Sequence, residues 1–301
     1  MVNDAIIRRS NGDRIFDVLN HTVLITILVA VLYPMVYVVS ASLSSADAVI
    51  QQRVWLWPVE PTLASYRAIF EHNLLMSGYL NALYYMLFGT IVSVVLLLLC
   101  AYPLSRPDLP GRKVLTWYFL ITIFFNGGII PNYILVNQLG MINTRWALII
   151  PFGLSAFNMI VARTFFQSTI PTELLESSRM DGCSDFRFFA QIVLPLSKPI
   201  VAVMALFHAV GHWNGFFRAL LYLSDSSLYP LQLVLRDILF IYQLPEEVLM
   251  TMDDGRLAEL INLQELLKYA VIVAGSLPVM ILYPFVQKYF VKGVMIGSLK
   301  G

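Results

Sequence analysis

Long stretches without a charged residue dominate this chain. Six charge-free intervals reach 17 residues or more, and they cover 18–46, 72–105, 114–144, 146–162, 199–217 and 269–287. A bilayer core about 30 Å thick needs roughly 20 helical residues, so each interval can hold one membrane-crossing helix. The pattern predicts an all-α integral membrane protein with six transmembrane helices, at about 19–41, 79–102, 114–137, 146–166, 199–217 and 269–288.

The composition agrees with this pattern. The chain has 301 residues, of which 58% are hydrophobic and 13% charged, well outside the range of soluble globular proteins. A net charge of +1 excludes the basic footprint of a nucleic-acid-binding protein, so no nucleic-acid partner is expected, whereas membrane lipid is. The two cysteines, Cys100 and Cys183, imply no disulfide framework.

The distribution of lysine and arginine predicts the orientation. If the N-terminus is inside, the inner segments carry 13 of these residues and the outer segments carry 7, which accounts for all 20. We therefore expect a multi-pass protein of the cytoplasmic membrane with both termini in the cytoplasm. The expected parts are an N-terminal tail (1–17), a six-helix domain (18–290) with a cytoplasmic loop at 168–198, and a C-terminal tail (291–301).

Two segments carry further local signals. Span three contains Asn126-Gly127-Gly128 followed by Pro131, and such residues break the helical hydrogen-bond ladder. Two interpretations remain open, a broken helix that lines protein or water and an ordinary kink against a neighbouring helix. Apolar residues recur at helical spacing over 257–267, which predicts an amphipathic helix at the outer membrane surface.

A polar island, Pro171–Pro195, separates spans four and five. Pro171 suits an early helical position, and acidic residues that follow it favour the positive end of the helix dipole. Gly182 stands where a glycine ends a helix, and Ser184 can cap a second helix that ends at Pro195. The island therefore predicts a short helix, a glycine turn and a second short helix.

The spacing within this island is distinctive. Glu176-Ser177-Ser178 is followed by Gly182 and then by Ile192-Val193-Leu194-Pro195, which gives the pattern E-x5-G-x9-I-x-L-P. This pattern resembles the EAA loop of permease subunits in binding-protein-dependent ABC importers, with serine in place of both alanines. The six-span layout, the segment 131–151 and the Trp213-Asn214 pair resemble the MalG-like carbohydrate permeases, and most of all the LplC/YtcP type.

This resemblance implies a fold, a role and a set of partners. It implies the type I importer fold (MetI/MalG-like) and a non-catalytic subunit that forms a heterodimer with a second permease. The expected partners are two ATP-binding subunits, an extracytoplasmic solute-binding protein and a carbohydrate, with an oligosaccharide favoured. It also implies that the ATPase-coupling residues are Glu176, Ser177, Ser178, Asp181 and Gly182. The chain has no G-x4-G-K-[ST] loop, so ATP and Mg²⁺ are expected on the partner ATPase and no cofactor is expected here.

A second group of residues suits a carbohydrate path. Aromatic faces stack on sugar rings and amides bind hydroxyls, so Trp213, Asn214 and the adjacent His212 are candidate pathway residues, together with Asn132 in span three. The alternative for Trp213 is an ordinary position near the outer end of its span.

Two other functional classes are weighed against the permease. An ion-coupled secondary transporter would keep acidic or basic coupling groups within its spans, and the six intervals contain none. A metalloenzyme could use His208 and His212, which lie on one helix face. The residues between them lack the glutamate of a zincin helix, so we expect these histidines either to form hydrogen bonds within the bundle or to face water, and we expect no metal.

Overall fold

The computed structural model describes residues 11–71, 73–241, 255, 267–284 and 287. All regular structure within these residues is helical. The helices are α1 (Asn11–Ser42), α2 (Ala46–Ile50), α3 (Ala64–Glu71), α4 (Asn73–Ser105), α5 (Arg112–Phe124), α6 (Ile129–Gln138), α7 (Trp146–Ile149), α8 (Ala156–Thr169), α9 (Thr172–Met180), α10 (Asp185–Phe188), α11 (Leu194–Leu196), α12 (Lys198–Trp213), α13 (Phe216–Tyr222), α14 (Leu231–Ile241) and α15 (Leu267–Pro284). A π-helical turn, Phe189–Val193, joins α10 to α11, and a 3-10 turn, Ser226–Leu228, precedes α14. Residues 1–10 of the expected N-terminal tail, the C-terminal tail and 257–266 of the expected amphipathic helix lie outside the described residues.

The helices α1, α4 and α15 are each long and apolar enough to cross a membrane, and two bent helix pairs raise the number of candidate spans to 5 among the described residues. The pairs are α5 with α6, bent by 118°, and the segment Asp185–Leu196 with α12, bent by 81°. The fourth predicted span is occupied by α8, which has 14 residues. The all-helical membrane fold expected from the sequence is therefore present, with several of its spans broken or bent.

Span three is a broken helix. Gly128 has φ +83, a conformation that L side chains rarely adopt, and its N–H donates to Asn126 Oδ1 at 2.9 Å. The bend of 118° between α5 and α6 is far larger than a kink against a neighbour, so the kink interpretation was wrong.

Span four is shorter than the sequence predicted. A continuous helix was expected from residue 146, but α7 ends at Ile149 and α8 begins only at Ala156. Pro151 lacks the N–H that would continue the hydrogen-bond ladder, and Ser155 Oγ accepts a bond from Asn158 N at 3.4 Å to start a new helix.

The chain divides into two compact units, and the first comprises residues 1–71 and 242–274. Its helix α1 is strongly apolar, and none of its most hydrophobic 18-residue window is buried within the chain. Thr22 and Thr26 each donate to the carbonyl four residues earlier at 2.8 Å, so both hydroxyls have partners within the helix, as an apolar environment requires. At the C-terminal end of α1, Ser40 Oγ donates to Leu56 O at 2.6 Å and ties down the following loop.

The second unit, residues 72–241 and 275–301, is organised around α4. This helix packs against α8, α12 and α14, and two separate apolar clusters lie along it. One cluster, the Phe166 core, includes Leu97, Tyr102, Phe166, Phe188 and Met204. The other, the Tyr85 core, includes Tyr85, Val136, Leu148, Tyr222 and Leu233. The close approach of α4 and α12 requires Gly89, because a Cβ there would lie 2.7 Å from three ring atoms of His212.

Candidate coupling site

The polar island folds as a helix, a turn and a second helix. Pro171 has φ −64 and directly precedes α9, and Gly182 has φ +73, the left-handed conformation that ends a helix at glycine. Ser184 Oγ accepts a hydrogen bond from Arg187 N at 3.3 Å and begins the second helix. The predicted helix–turn–helix is confirmed, with the second helix running through the π-helical turn and past Pro195 to Leu196.

The helix α9 has a buried face and an exposed face. Leu175 and Ser178 are 8% and 7% exposed, and Ser178 Oγ donates to Leu175 O at 2.8 Å, so a small residue is needed at this position. We call the opposite side the exposed face of α9, and its residues are Glu173, Glu176, Ser177 and Met180. Met180 is 88% exposed, and methionine is an adaptable apolar side chain that is frequent at binding surfaces. Asp181 and Gly182 are exposed directly after it.

Four charged residues attach this element to the end of α4. Arg106 contacts Asp108 at 2.6 Å and Asp185 at 3.0 Å, and Arg179 contacts the same two carboxylates at 3.0 and 3.5 Å. We call this set the four-charge cluster. Hydrogen bonds from Arg106, followed by those from Arg179, hold the pKa of the Asp108 carboxyl well below its usual range. The cluster joins the loop after α4 to both helices of the island.

The C-terminal end of α4 is itself fixed by α8. Arg163 Nε donates to Leu104 O at 2.9 Å, and Gln167 Nε2 donates to Ser105 O at 3.4 Å. These bonds satisfy carbonyls that the last helical turn leaves without intrahelical partners. Beside the cluster lies an open cleft of about 500 Å³, with Phe186 at its edge and 77% exposed. The α9 element therefore stands on a rigid support and presents polar and apolar side chains outwards.

The candidate pathway residues fall into two different environments. Trp213 is 2% exposed, and its Nε1 donates to Gly275 O at 2.9 Å while its ring meets Tyr79 edge-on at 5.8 Å. His212 is likewise buried, whereas Asn214, which follows α12, and Asn132, on α6, are exposed. In this conformation the asparagines are the accessible members of the set, and Trp213 packs within its own unit. The assignment of these residues to a pathway remains a prediction.

Each of the two histidines of α12 has a hydrogen-bonding neighbour. His212 Nε2 lies 3.2 Å from Ser93 Oγ, and His208 Nε2 lies 3.4 Å from Asn158 Nδ2, the amide donating. Of the two expected alternatives, the structure shows hydrogen bonding within the bundle, and both side chains are buried and do not face water. Among the described residues, no group of three or more His, Cys, Asp or Glu side chains could hold a metal ion.

Comparison with known proteins decides the family. Residues 75–296 match the family described as "Binding-protein-dependent transport system inner membrane component", and this match covers both the four-charge cluster and α9. The chain belongs to this family. It is therefore a membrane-embedded component of a transport system, and its fold is that of the ABC importer permeases.

Relatives of this permease match it almost from end to end. It is 38% identical to the polygalacturonan/rhamnogalacturonan transport system permease protein YtcP of Bacillus subtilis, over 96% of this chain and 99% of the relative. It is 37% identical to the protein LplC of the same organism, over 97% of each chain. A crystal structure of a bacterial ABC transporter involved in the import of the acidic polysaccharide alginate superposes with a TM-score of 0.85 at 35% identity, over 94% of this chain and 99% of that one.

Two features of the permease were missed from the sequence. Met180 lies three and seven residues after Ser177 and Glu173, so a helical wheel drawn on the predicted helix would have placed it on the exposed face. The four-charge cluster joins Arg106 and Asp108 to Arg179 and Asp185, more than 70 positions along the chain. No local pattern indicates such a contact.

Proposed function

We propose that this permease carries an oligosaccharide across the cytoplasmic membrane, as one half of a heterodimer driven by a separate ATPase. The support is the family match together with YtcP and the alginate importer, whose names describe the transport of polysaccharides. In this proposal an extracytoplasmic binding protein delivers the cargo, two ATP-binding subunits supply the energy, and both chain termini lie in the cytoplasm. The permease itself performs no covalent chemistry.

The observation that carries the proposal is the exposed face of α9. A short helix that presents Glu176 beside a strongly exposed Met180 fits a helix-in-groove contact, with the methionine as apolar anchor and the carboxylate as partner for an arginine. The buried face, with Leu175 and Ser178, holds the helix on the Phe166 core. Movement of the ATPase would therefore be passed to the membrane helices through α9.

Transport then follows from a shift between two states. Nucleotide binding at the cytoplasmic face and a loaded binding protein at the outer face each favour one of the inward-open and outward-open conformations. Each ligand must bind one state more tightly than the other for this coupling to exist. The α9 element is the part of this chain through which the nucleotide-dependent bias enters.

Removal of the Glu176 carboxylate tests the proposal. Loss of one partner of a buried charge pair typically costs about 3–5 kcal/mol, and we expect the lower end or below because part of the docked pair stays wet. Glu176→Ala should weaken ATPase docking or uncouple hydrolysis from uptake, without affecting membrane insertion, because the side chain is exposed in the isolated subunit. Uptake and stimulated ATPase activity of the reconstituted complex are the measurements.

Two matched pairs of variants sharpen this test. Glu173→Ala removes a carboxylate one turn earlier, outside the E-x5-G spacing, and should have a smaller effect. Gly182→Val places a β-branched residue at φ +73 and should disturb α9, whereas Gly182→Asn, which tolerates the left-handed conformation, should disturb it less. Normal transport by both Glu176→Ala and Gly182→Val would show that the island is only a hairpin between two spans.

A further inference from the structure

A second cleft, of about 240 Å³, lies where the ends of three apolar helices meet. Its walls include Ser105 at the end of α4, Arg112 at the start of α5 and Gln167 near the end of α8, together with the start of α9. We call it the α5 cleft. The charge-free intervals 72–105 and 114–144 end and begin here, so the cleft stands at the membrane boundary, on the same face as α9.

The charges that line the α5 cleft are positive. Arg106 and Arg112 line it, and none of the described aspartates or glutamates does. The larger cleft of about 500 Å³ is lined by Arg106 too, but also by Asp108 and Asp185, which pair with it. Arg112, like several other arginines, forms no ion pair within the described part of the chain. Arg163 lies close enough for the two positive charges to repel each other, so an anion would be favoured beside Arg112.

The Tyr102 hydroxyl adds an unused polar group. Tyr102 lines both clefts and is 6% exposed, and its ring meets Phe166 edge-on at 5.8 Å and Phe189 at 5.0 Å. Its hydroxyl is buried and has no hydrogen-bond partner among the residues that the structure describes, although Arg106 is nearby. A buried hydroxyl without a partner costs free energy, and a ligand oxygen within reach would remove that cost.

We propose that the α5 cleft binds the phosphate of an anionic phospholipid, with Arg112 as the cation and the Tyr102 hydroxyl as a hydrogen-bond donor. A guanidinium presents its N–H groups in a fork that matches phosphate oxygens. Phe166, Ile170 and Leu175 make part of the lining apolar, which suits the first acyl carbons of a lipid better than a free phosphate. Basic pockets between transmembrane helices at the membrane surface are a recognised setting for anionic headgroups.

A lipid in this cleft would contact the start of α9 directly. Pro171, Thr172 and Leu175 all line the cleft, so the headgroup would hold this end of the island against the membrane helices. The four-charge cluster holds the other end of α9 through Arg179. The inference concerns lipid and its test needs no cargo, so it can fail while the proposed function stands.

The test measures lipid binding to the complete complex, purified and delipidated in detergent. The probe is a short-chain phosphatidylglycerol, counted by native mass spectrometry, with phosphatidylcholine of the same acyl chains as its zwitterionic counterpart. We expect one saturable site that prefers phosphatidylglycerol. Arg112→Gln should weaken that site about tenfold, because a charge-assisted hydrogen bond is lost. Tyr102→Phe removes only the hydroxyl and should weaken it about fivefold.

The neighbouring residue Lys113 provides the matched control. Lys113 is exposed and lines neither cleft, so Lys113→Gln removes the same charge without touching the proposed site. An exposed charge is screened by salt, and the affinity for phosphatidylglycerol should stay within about twofold of the wild-type value. Equal losses in Arg112→Gln and Lys113→Gln would show a diffuse attraction to the membrane surface, and the inference would be wrong.

The remaining outcomes also decide. If phosphatidylcholine binds as tightly as phosphatidylglycerol, apolar contacts hold the lipid and the role of Arg112 is refuted. If the deacylated headgroup, glycerophosphoglycerol, binds as tightly as the lipid, the ligand is a soluble phosphate ester instead. An unchanged Tyr102→Phe complex would refute the part given to the hydroxyl. If Arg112→Gln does not assemble, Arg112→Lys, which keeps the charge without the fork, and the comparison of the two lipids on the wild-type complex decide in its place.

Discussion

The Arg106 side chain is the most enclosed member of the four-charge cluster, and its removal measures how firmly α9 is attached to α4. Arg106 is 14% exposed, whereas its partners Asp108 and Asp185 are 40% and 59% exposed. Arg106→Met keeps the apolar stem and removes the contacts to both carboxylates. Loss of one partner costs about 3–5 kcal/mol in a buried pair and about 0–1 kcal/mol at the surface. Since both carboxylates retain water, we expect about 2 kcal/mol, between these limits.

Amide hydrogen exchange is the direct assay for this loss. A change of about 2 kcal/mol raises the population of the detached element about 30-fold. The amides of Asp181 and Cys183, which bond to Ser177 O at 3.1 Å and Ser178 O at 2.9 Å, should therefore exchange faster by up to this factor in the purified membrane complex. If α9 docks the ATPase as proposed, uptake should fall more than ATP hydrolysis, because the exposed face of α9 is unchanged.

Two further arginines provide a graded control. Arg179 is 48% exposed and makes longer contacts with the cluster, so Arg179→Met should have a smaller effect. Arg187 donates to Gln191 Oε1 at 3.0 Å and is not a member of the cluster. Arg187→Met should therefore leave the exchange rates of these amides within about twofold of the wild-type rates. Equal effects of all three replacements, or an unchanged Arg106→Met protein, would refute the assignment of the cluster as the attachment point.

Two other predictions concern packing and pH. Gly89→Val should lower the melting temperature of the complex, because overpacking against the His212 ring costs about 1–3 kcal/mol or more, whereas Gly211→Val has open space within 4 Å of its Cβ and should cost less. Because the pKa of Asp108 is lowered in the folded protein, its ionised carboxylate stabilises the folded state at every pH above the ordinary aspartate pKa of about 4. This stabilisation is lost as the pH falls through the lower pKa that Asp108 has in the folded protein. The protection of the α9 amides from exchange, after correction for the pH dependence of the intrinsic exchange rate, should therefore be constant from about pH 5 to 8. A marked loss of protection within that range would contradict the ion-pair assignment.

The features that local chemistry dictates were predicted well from the sequence. A proline start, a glycine in the left-handed conformation and a serine cap each act within four residues, so the positions of Pro171, Gly182 and Ser184 are enough to define the island. The lengths of the charge-free intervals likewise predicted α1, α4 and α15. A charged side chain is costly at any position within a membrane span, so a span is recognisable in the sequence by the absence of charges.

The features that depend on tertiary packing were predicted poorly. The size of the bend at Gly128 and the interruption at Pro151 depend on which neighbours satisfy the freed backbone groups, and composition carries no information about those neighbours. Trp213 was expected near a pathway for the chemistry of its ring, yet its burial depends on Tyr79 and Gly275, which are far away in the sequence. The cluster around Arg106 was missed for the same reason.

The structure offers two routes from α9 into the membrane domain, and they differ in stiffness. The route along the chain passes through the π-helical turn, the short α11 and a bend of 81° before α12, and each interruption of regular hydrogen bonding is a place where movement is absorbed. The route across the four-charge cluster enters α4 directly, and α4 runs unbroken for 33 residues from the end beside this cluster past the Tyr85 core. A displacement of α9 therefore meets fewer interruptions on its way to the Tyr85 core through α4 than through α12, and Arg106→Met, which removes contacts of the four-charge cluster, tests the route through α4.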